Sequence, residues 1–171
     1  MKWINEKKWM MPLIGIAALL VVGGGGVACS SPKKAPDFTL KDLSGNEISL
    51  ADHKGRVVLV DFWATWCPAC RYAIPDLVRM QEKYADQGLV ILAVSLDDPA
   101  KANNAFLKAF KEKNRMNFPV LRGDRQVVTD FFGSGEIGLP TFFVIDRKGR
   151  LVDSHTGFAP QAIEKSVKKN L

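Results

Sequence analysis

Beyond about residue 37, the apolar and polar positions fall into blocks that switch between strand and helix periodicity. Residues 38–50 alternate around Ser44-Gly45-Asn46, the pattern of a β-hairpin. Val57-Val58-Leu59-Val60-Asp61-Phe62 is an almost unbroken apolar run after Lys54-Gly55-Arg56, as in a central strand covered on both faces. Helical spacing follows over residues 67–86, with Ile74, Leu77, Val78 and Met80 to Gln81 on one side and Gly88 as the stop. Residues 89–96 read as a second buried strand. After Asp97-Asp98-Pro99, an amphipathic helix is expected with Ala102, Phe106, Ala109 and Phe110 on its apolar face. Phe118-Pro119-Val120-Leu121 reads as a loop leading to a short helix over residues 126–132. Residues 141–146 and 151–154 form a hairpin turning at Arg147-Lys148-Gly149, and a last helix from Pro160 spaces Ile163, Val167 and Leu171 by four. Strand–helix alternation ending in a hairpin predicts an α/β domain with a mixed sheet and helices on both faces.

The start of the chain follows another rule. Lys2, Lys7 and Lys8 precede a charge-free run from Trp9 to Pro32, apolar through residues 13–22 and broken by Gly23 to Gly26. A cationic start, an apolar middle and a small-residue end make an export signal. Gly26-Val27-Ala28-Cys29 resembles the lipobox of bacterial lipoproteins, in which the cysteine is lipidated and becomes the new N-terminus, although the usual Leu is Gly26 here. An uncleaved membrane anchor and a cleaved soluble form are the other two endings, and all three put the domain outside the cytoplasm. The expected organisation is a signal segment over 1–28, a linker over 29–36 and one domain over 37–171.

Composition fits that division. Apolar residues make up 47% and charged residues 25%, which suits a folded domain rather than a disordered chain. The formal charge of +6 is interleaved with acids along the chain, so no basic stripe calls for a nucleic-acid partner. Of three cysteines, Cys29 is accounted for by lipidation, which leaves the pair Cys67 and Cys70.

That pair carries the chemistry. Trp66-Cys67-Pro68-Ala69-Cys70 leaves a buried strand and opens a helix, and this spacing puts two sulfurs within bonding reach. At the helix N-terminus, unpaired N–H groups and the dipole favour an anion, so Cys67 is the expected nucleophilic thiolate. Cys70, one turn deeper, is the resolving thiol, and Pro68 fits the first helical position. A structural disulfide and a zinc site fit this placement poorly, the latter because only His53 and His155 are available as imidazole ligands. A copper site using Cys67, Cys70 and His155 is a further alternative. No cofactor is called for.

Residues 60–71, Val-Asp-Phe-Trp-Ala-Thr-Trp-Cys-Pro-Ala-Cys-Arg, resemble the active-site segment of thioredoxins. Ala35-Pro36-Asp37-Phe38, Asp42-Leu43-Ser44-Gly45, Pro75, Val94-Ser95-Leu96-Asp97, Gly138-Leu139-Pro140-Thr141 and Ile145-Asp146-Arg147-Lys148-Gly149 narrow the resemblance to the TlpA/ResA-like family of membrane-bound thiol–disulfide oxidoreductases. The resemblance covers the chain from about Ala35 to its end. It implies a thioredoxin fold with an added N-terminal hairpin and reduction of protein disulfides in an oxidising compartment. It further implies apocytochrome c or copper-centre cysteines as substrates, and electrons from a membrane thiol transporter. Pro140 would be a cis-proline facing the disulfide, and Leu139 would offer its backbone to a substrate strand. Trp66 would rim the site and meet the partner.

Two positions depart from the family. A Glu often found three residues after the second cysteine is Ala73, and a strand position that is often Asn is Asp61. A buried Asp61 would have a raised pKa and accept the Cys70 proton in place of that Glu; the alternative is a solvated acid at the strand end. A thiol peroxidase is the nearest competing enzyme, but its Thr three residues before the reactive cysteine is absent, since Thr65 lies two before Cys67. A disulfide-forming oxidase and a copper-delivery module are the remaining alternatives.

Overall fold

The computed structural model describes residues 33–171, and the signal, lipidation and anchor expectations at the N-terminus, Cys29 among them, lie outside the described residues. A five-stranded sheet organises the domain in the order β5-β4-β3-β6-β7. Its centre is β3 (Val57–Trp63), parallel to β4 (Leu89–Ser95) on one side and antiparallel to β6 (Thr141–Ile145) on the other. Every residue of β3 and β4 is buried, which is why both appear in the sequence as continuous apolar runs. On the β6 side, β7 (Leu151–Thr156) closes the sheet as an antiparallel edge. A separate hairpin of β1 (Thr39–Lys41) and β2 (Glu47–Ser49) precedes the sheet. The fold is the thioredoxin fold with an N-terminal hairpin.

Four helices cover the sheet. The first, α1 (Pro68–Tyr84), buries Cys70, Ala73, Ile74, Leu77, Met80 and Tyr84, then passes through a 3-10 turn, Ala85–Gln87, to Gly88 in the left-handed region. The last, α4 (Pro160–Asn170), buries Ile163 and Val167. Backbone pairing already begins at Lys33 and Ala35: the Leu151 N–H donates to the Lys33 carbonyl and the Ala35 N–H to that of Gly149.

Two sequence expectations need correction. Val120–Arg122 is a strand, β5, parallel to β4, where the pattern indicated a loop. Three residues between Pro119 and Gly123 are too few to show alternation, and the partner that makes them a strand lies 27 residues earlier, where Ala93 faces Val120. Gly123 is required by this join, because a Cβ there would lie 2.7 Å from Leu96 Cδ2 and 3.0 Å from the Ser95 carbonyl.

The second correction concerns α2 (Asn104–Lys113). Asn103 caps it by accepting the Phe106 N–H at 2.9 Å, so Ala102 lies before the helix. Leu107 is the residue it buries, Phe110 packs partly onto Trp63, and Phe106 is 51% exposed. The cap sets where the helix begins. After α2 and β5 comes α3 (Arg125–Phe132), capped by Asp124 and one residue longer at its start than the pattern indicated.

Candidate functional site: a cysteine pair at the mouth of β3

β3 ends at Trp63, and its ladder with β4 runs to the pair Trp63–Ser95. The chain then turns over Ala64, Thr65 and Trp66 and starts α1, with Cys67 as the N-cap and Pro68 in the first turn. Proline suits this place because its missing N–H would have had no partner there. The Cys67 Sγ takes the role of a capping oxygen and accepts the Cys70 N–H at 3.2 Å. The first turn contains no acidic side chain to oppose an anion at this sulfur. Cys67 and Cys70 are joined as a disulfide with their Cα atoms 5.3 Å apart.

The pair is set just under the surface, Cys67 being 5% and Cys70 2% exposed. Cys67 opens onto a shallow apolar depression formed with Trp66, Pro68, Leu96, Ile137 and Leu139. Trp66 is 66% exposed and Ile137 also projects into solvent. Large exposed apolar groups clustered around a reactive atom mark a contact surface for another molecule. The Leu139–Pro140 bond is cis; Pro140 is buried and Leu139 half-buried. The loop before it is held closely. Thr141 Oγ1 donates to the Gly138 carbonyl at 2.7 Å, and a Cβ on Gly138 would meet Thr156 Cγ2 at 2.7 Å.

Asp61 occupies the middle of β3 and is 3% exposed, which excludes the solvated strand-end reading. Alternation along the strand puts it on the same face as Leu59 and Trp63, and both belong to the apolar layer that holds Cys67, Cys70 and Ala73. One carboxyl oxygen, Oδ1, has no hydrogen-bond partner. Removal from water raises the Asp61 pKa to about 8, so at neutral pH it is mostly the uncharged acid. Ala73 is buried in the same layer.

The structure therefore brings together Cys67, Cys70, Trp66, Pro68 and Leu139, with Pro140 next in the chain and Asp61 facing the same layer. His155 is not among them. It lines a different groove, with Arg150, Asp153, Lys165 and Lys169. Among the described residues, no group of three His, Cys, Asp or Glu side chains is placed to hold a metal ion. Sequence reasoning did not find Leu96 or Ile137. An isolated isoleucine within the glycine-rich stretch 133–138 was the available signal for the latter.

Similarity to known proteins agrees with this chemistry. Residues 32–154 match the AhpC/TSA family. The thiol-disulfide oxidoreductase ResA of Geobacillus thermodenitrificans is 37% identical over 123 residues, covering 72% of this chain and 67% of that protein. A solved thiol:disulfide interchange protein of the thioredoxin family from Chlorobium tepidum superposes with a TM-score of 0.73 at 29% identity, covering 84% of this chain and 99% of that one. The pneumococcal exposed lipoprotein thioredoxin of Streptococcus pneumoniae gives a TM-score of 0.64 at 30% identity, covering 78% and 99%.

Proposed function

This chain belongs to the AhpC/TSA family and is a thiol–disulfide oxidoreductase of the ResA type, and from that premise we propose that it reduces protein disulfides outside the cytoplasm while tethered to a membrane. The observation that carries the proposal is the Cys67 sulfur at the N-cap of α1, beside an exposed apolar surface. In the reduced protein the Cys67 thiolate attacks one sulfur of a substrate disulfide, and the other substrate sulfur leaves as a thiolate. Cys70 then loses its proton and attacks Cys67, which re-forms the intramolecular disulfide and releases the substrate with both its sulfurs reduced. Two electrons pass from the dithiol to the substrate.

The ionised fraction of Asp61 is the proton acceptor for Cys70. Because this carboxyl titrates at about 8, its accepting form is the minority at neutral pH and grows as pH rises toward 8. Trp66, Pro68 and Ile137 take the side chains beside the substrate cysteine, while Leu139, before Pro140, offers its backbone to an extended segment with little sequence preference.

The tether reading rests on Gly26-Val27-Ala28-Cys29. It is supported by the likeness to a protein described as an exposed lipoprotein thioredoxin. Such a reductase needs a donor of electrons at the membrane, a role suited to a thiol-transporting membrane protein. Cysteines destined for haem or copper are fitting substrates, since they must be free thiols in a compartment that oxidises them.

The reduction potential tests the direction. Equilibration against a glutathione or dithiothreitol buffer is expected to give a value near thioredoxin's, about −270 mV, whereas one near DsbA's, about −120 mV, would make the protein an oxidase. A Cys70→Ser variant should then trap substrates in cells as mixed disulfides on Cys67.

A further inference from the structure

Asp97 is buried at the mouth of β4, where its carboxylate collects four hydrogen bonds. The Thr65 N–H reaches both carboxylate oxygens, at 3.2 and 3.0 Å, and Thr65 Oγ1 donates to Oδ1 at 2.7 Å. Ser95 Oγ donates to Oδ2 at 2.9 Å. The acid is itself held. Its N–H donates to Ser95 Oγ at 3.2 Å, and Arg122 Nη1 on β5 reaches its carbonyl at 3.4 Å. Arg122 also donates through Nε to Asn104 Oδ1 at 2.8 Å, and Asn104 ties on to the Leu43 carbonyl of the hairpin at 3.2 Å. Thr65 is two residues from Cys67 in the turn that starts α1. The turn that presents the sulfur is thus fastened across 32 residues of sequence to one acid whose other bonds are all to rigid strands.

We propose that Asp97 is the positioning residue of the dithiol: by gripping Thr65 it holds the turn so that the Cys67 sulfur stays at the N-terminus of α1. The idea rests on Cys67 being the nucleophile, as argued above, and goes beyond it by naming the group that fixes its geometry. Buried charge-assisted bonds of this kind are strong and directional, so they suit a clamp better than a packing contact does. Among the described residues, Arg122 from β5 is the cation hydrogen-bonded to Asp97, and Cys70 and Arg71 follow the turn at the start of α1.

The test is the pH profile of Cys67 alkylation by iodoacetamide in the reduced full-length protein, measured for four variants. Thr65→Val removes one bond and changes no charge. It should slow the reaction at pH 7 about threefold and move the midpoint of the profile upward, the share of one hydrogen bond to a charged group that reaches the thiol. Thr65→Ser should restore it. Asp97→Ala should slow it about tenfold, because the turn then moves freely. Asp97→Asn keeps an acceptor oxygen for Thr65 and should stay within about twofold of the parent, since one neutral acceptor replaces a charged one.

A parental profile in Thr65→Val overturns the inference, whether or not Asp97→Ala folds. Slow Asp97→Asn with normal Thr65→Val overturns it too, since the carboxylate would then act through its charge. Both results leave the proposed function standing. If Cys67 of the parent protein titrates like free cysteine, the nucleophile assignment fails and takes this inference with it.

Discussion

The two faces of β3 are built from the same strand to opposite rules. Val58, Val60 and Phe62 point into a cluster of buried apolar side chains. There Phe62 packs against Phe131, Phe132 and Phe143 with ring centroids 5.0–5.7 Å apart, tilted or edge-on. Leu59, Asp61 and Trp63 point the other way, into the layer that holds the cysteine pair. On that side Asp61 Oδ1 and Trp63 Nε1 are both buried without partners. A buried polar atom left unpaired lowers stability by about 1–3 kcal/mol, so the face that holds the cysteine pair gives up part of the stability that the other face supplies. Strain of this sort collects where a protein works.

The comparison can be broken most decisively at Cys67. Cys67→Ser should abolish disulfide exchange with protein substrates, measured by insulin reduction, and leave the far-ultraviolet circular dichroism unchanged. Phe62→Ala attacks the other face: denaturant unfolding should show a loss of about 3–5 kcal/mol, while exchange per folded molecule keeps its rate. If the rate fell in proportion to stability, the faces would not be separable.

Asp61→Asn sharpens the contrast through pH. In the folded protein Asp61 stays protonated up to about pH 8, whereas in the unfolded chain it ionises at its ordinary value near 3.8. Unfolding therefore releases a proton between these limits, and the contribution of this residue to stability falls as pH rises from about 4 to 8, then levels. Asparagine has no such proton. Urea unfolding should show Asp61→Asn gaining on the parent protein through that window, while the Cys70 resolution step slows at least about tenfold for want of its base. Trp66→Ala should act least. Being exposed, it should change stability by no more than about 0.5 kcal/mol. It should still raise KM for a protein disulfide several-fold and leave the reaction with a small aromatic disulfide unaltered.

The near-continuous apolar run of β3, the cysteine spacing and the inward direction of Asp61 were legible because each follows from local sequence. Leu59, Asp61 and Trp63 share a face by period two alone. β5 was not legible, since three residues become a strand only when β4 supplies the partner. Nor was the inward side of α2, where Leu107 is inside and Phe106 in water although both are apolar. The grip of Asp97 on Thr65 spans 32 residues and became visible only in the folded chain.

β3 carries an uncharged acid into the layer that holds the dithiol. A carbon-13 NMR titration of the Asp61 carboxyl in the oxidised protein tests it most directly. A midpoint near pH 8, far above the other aspartates, is the predicted result. A midpoint near 4 would mean a solvated carboxylate, and no uncharged acid would then stand in the layer of the dithiol.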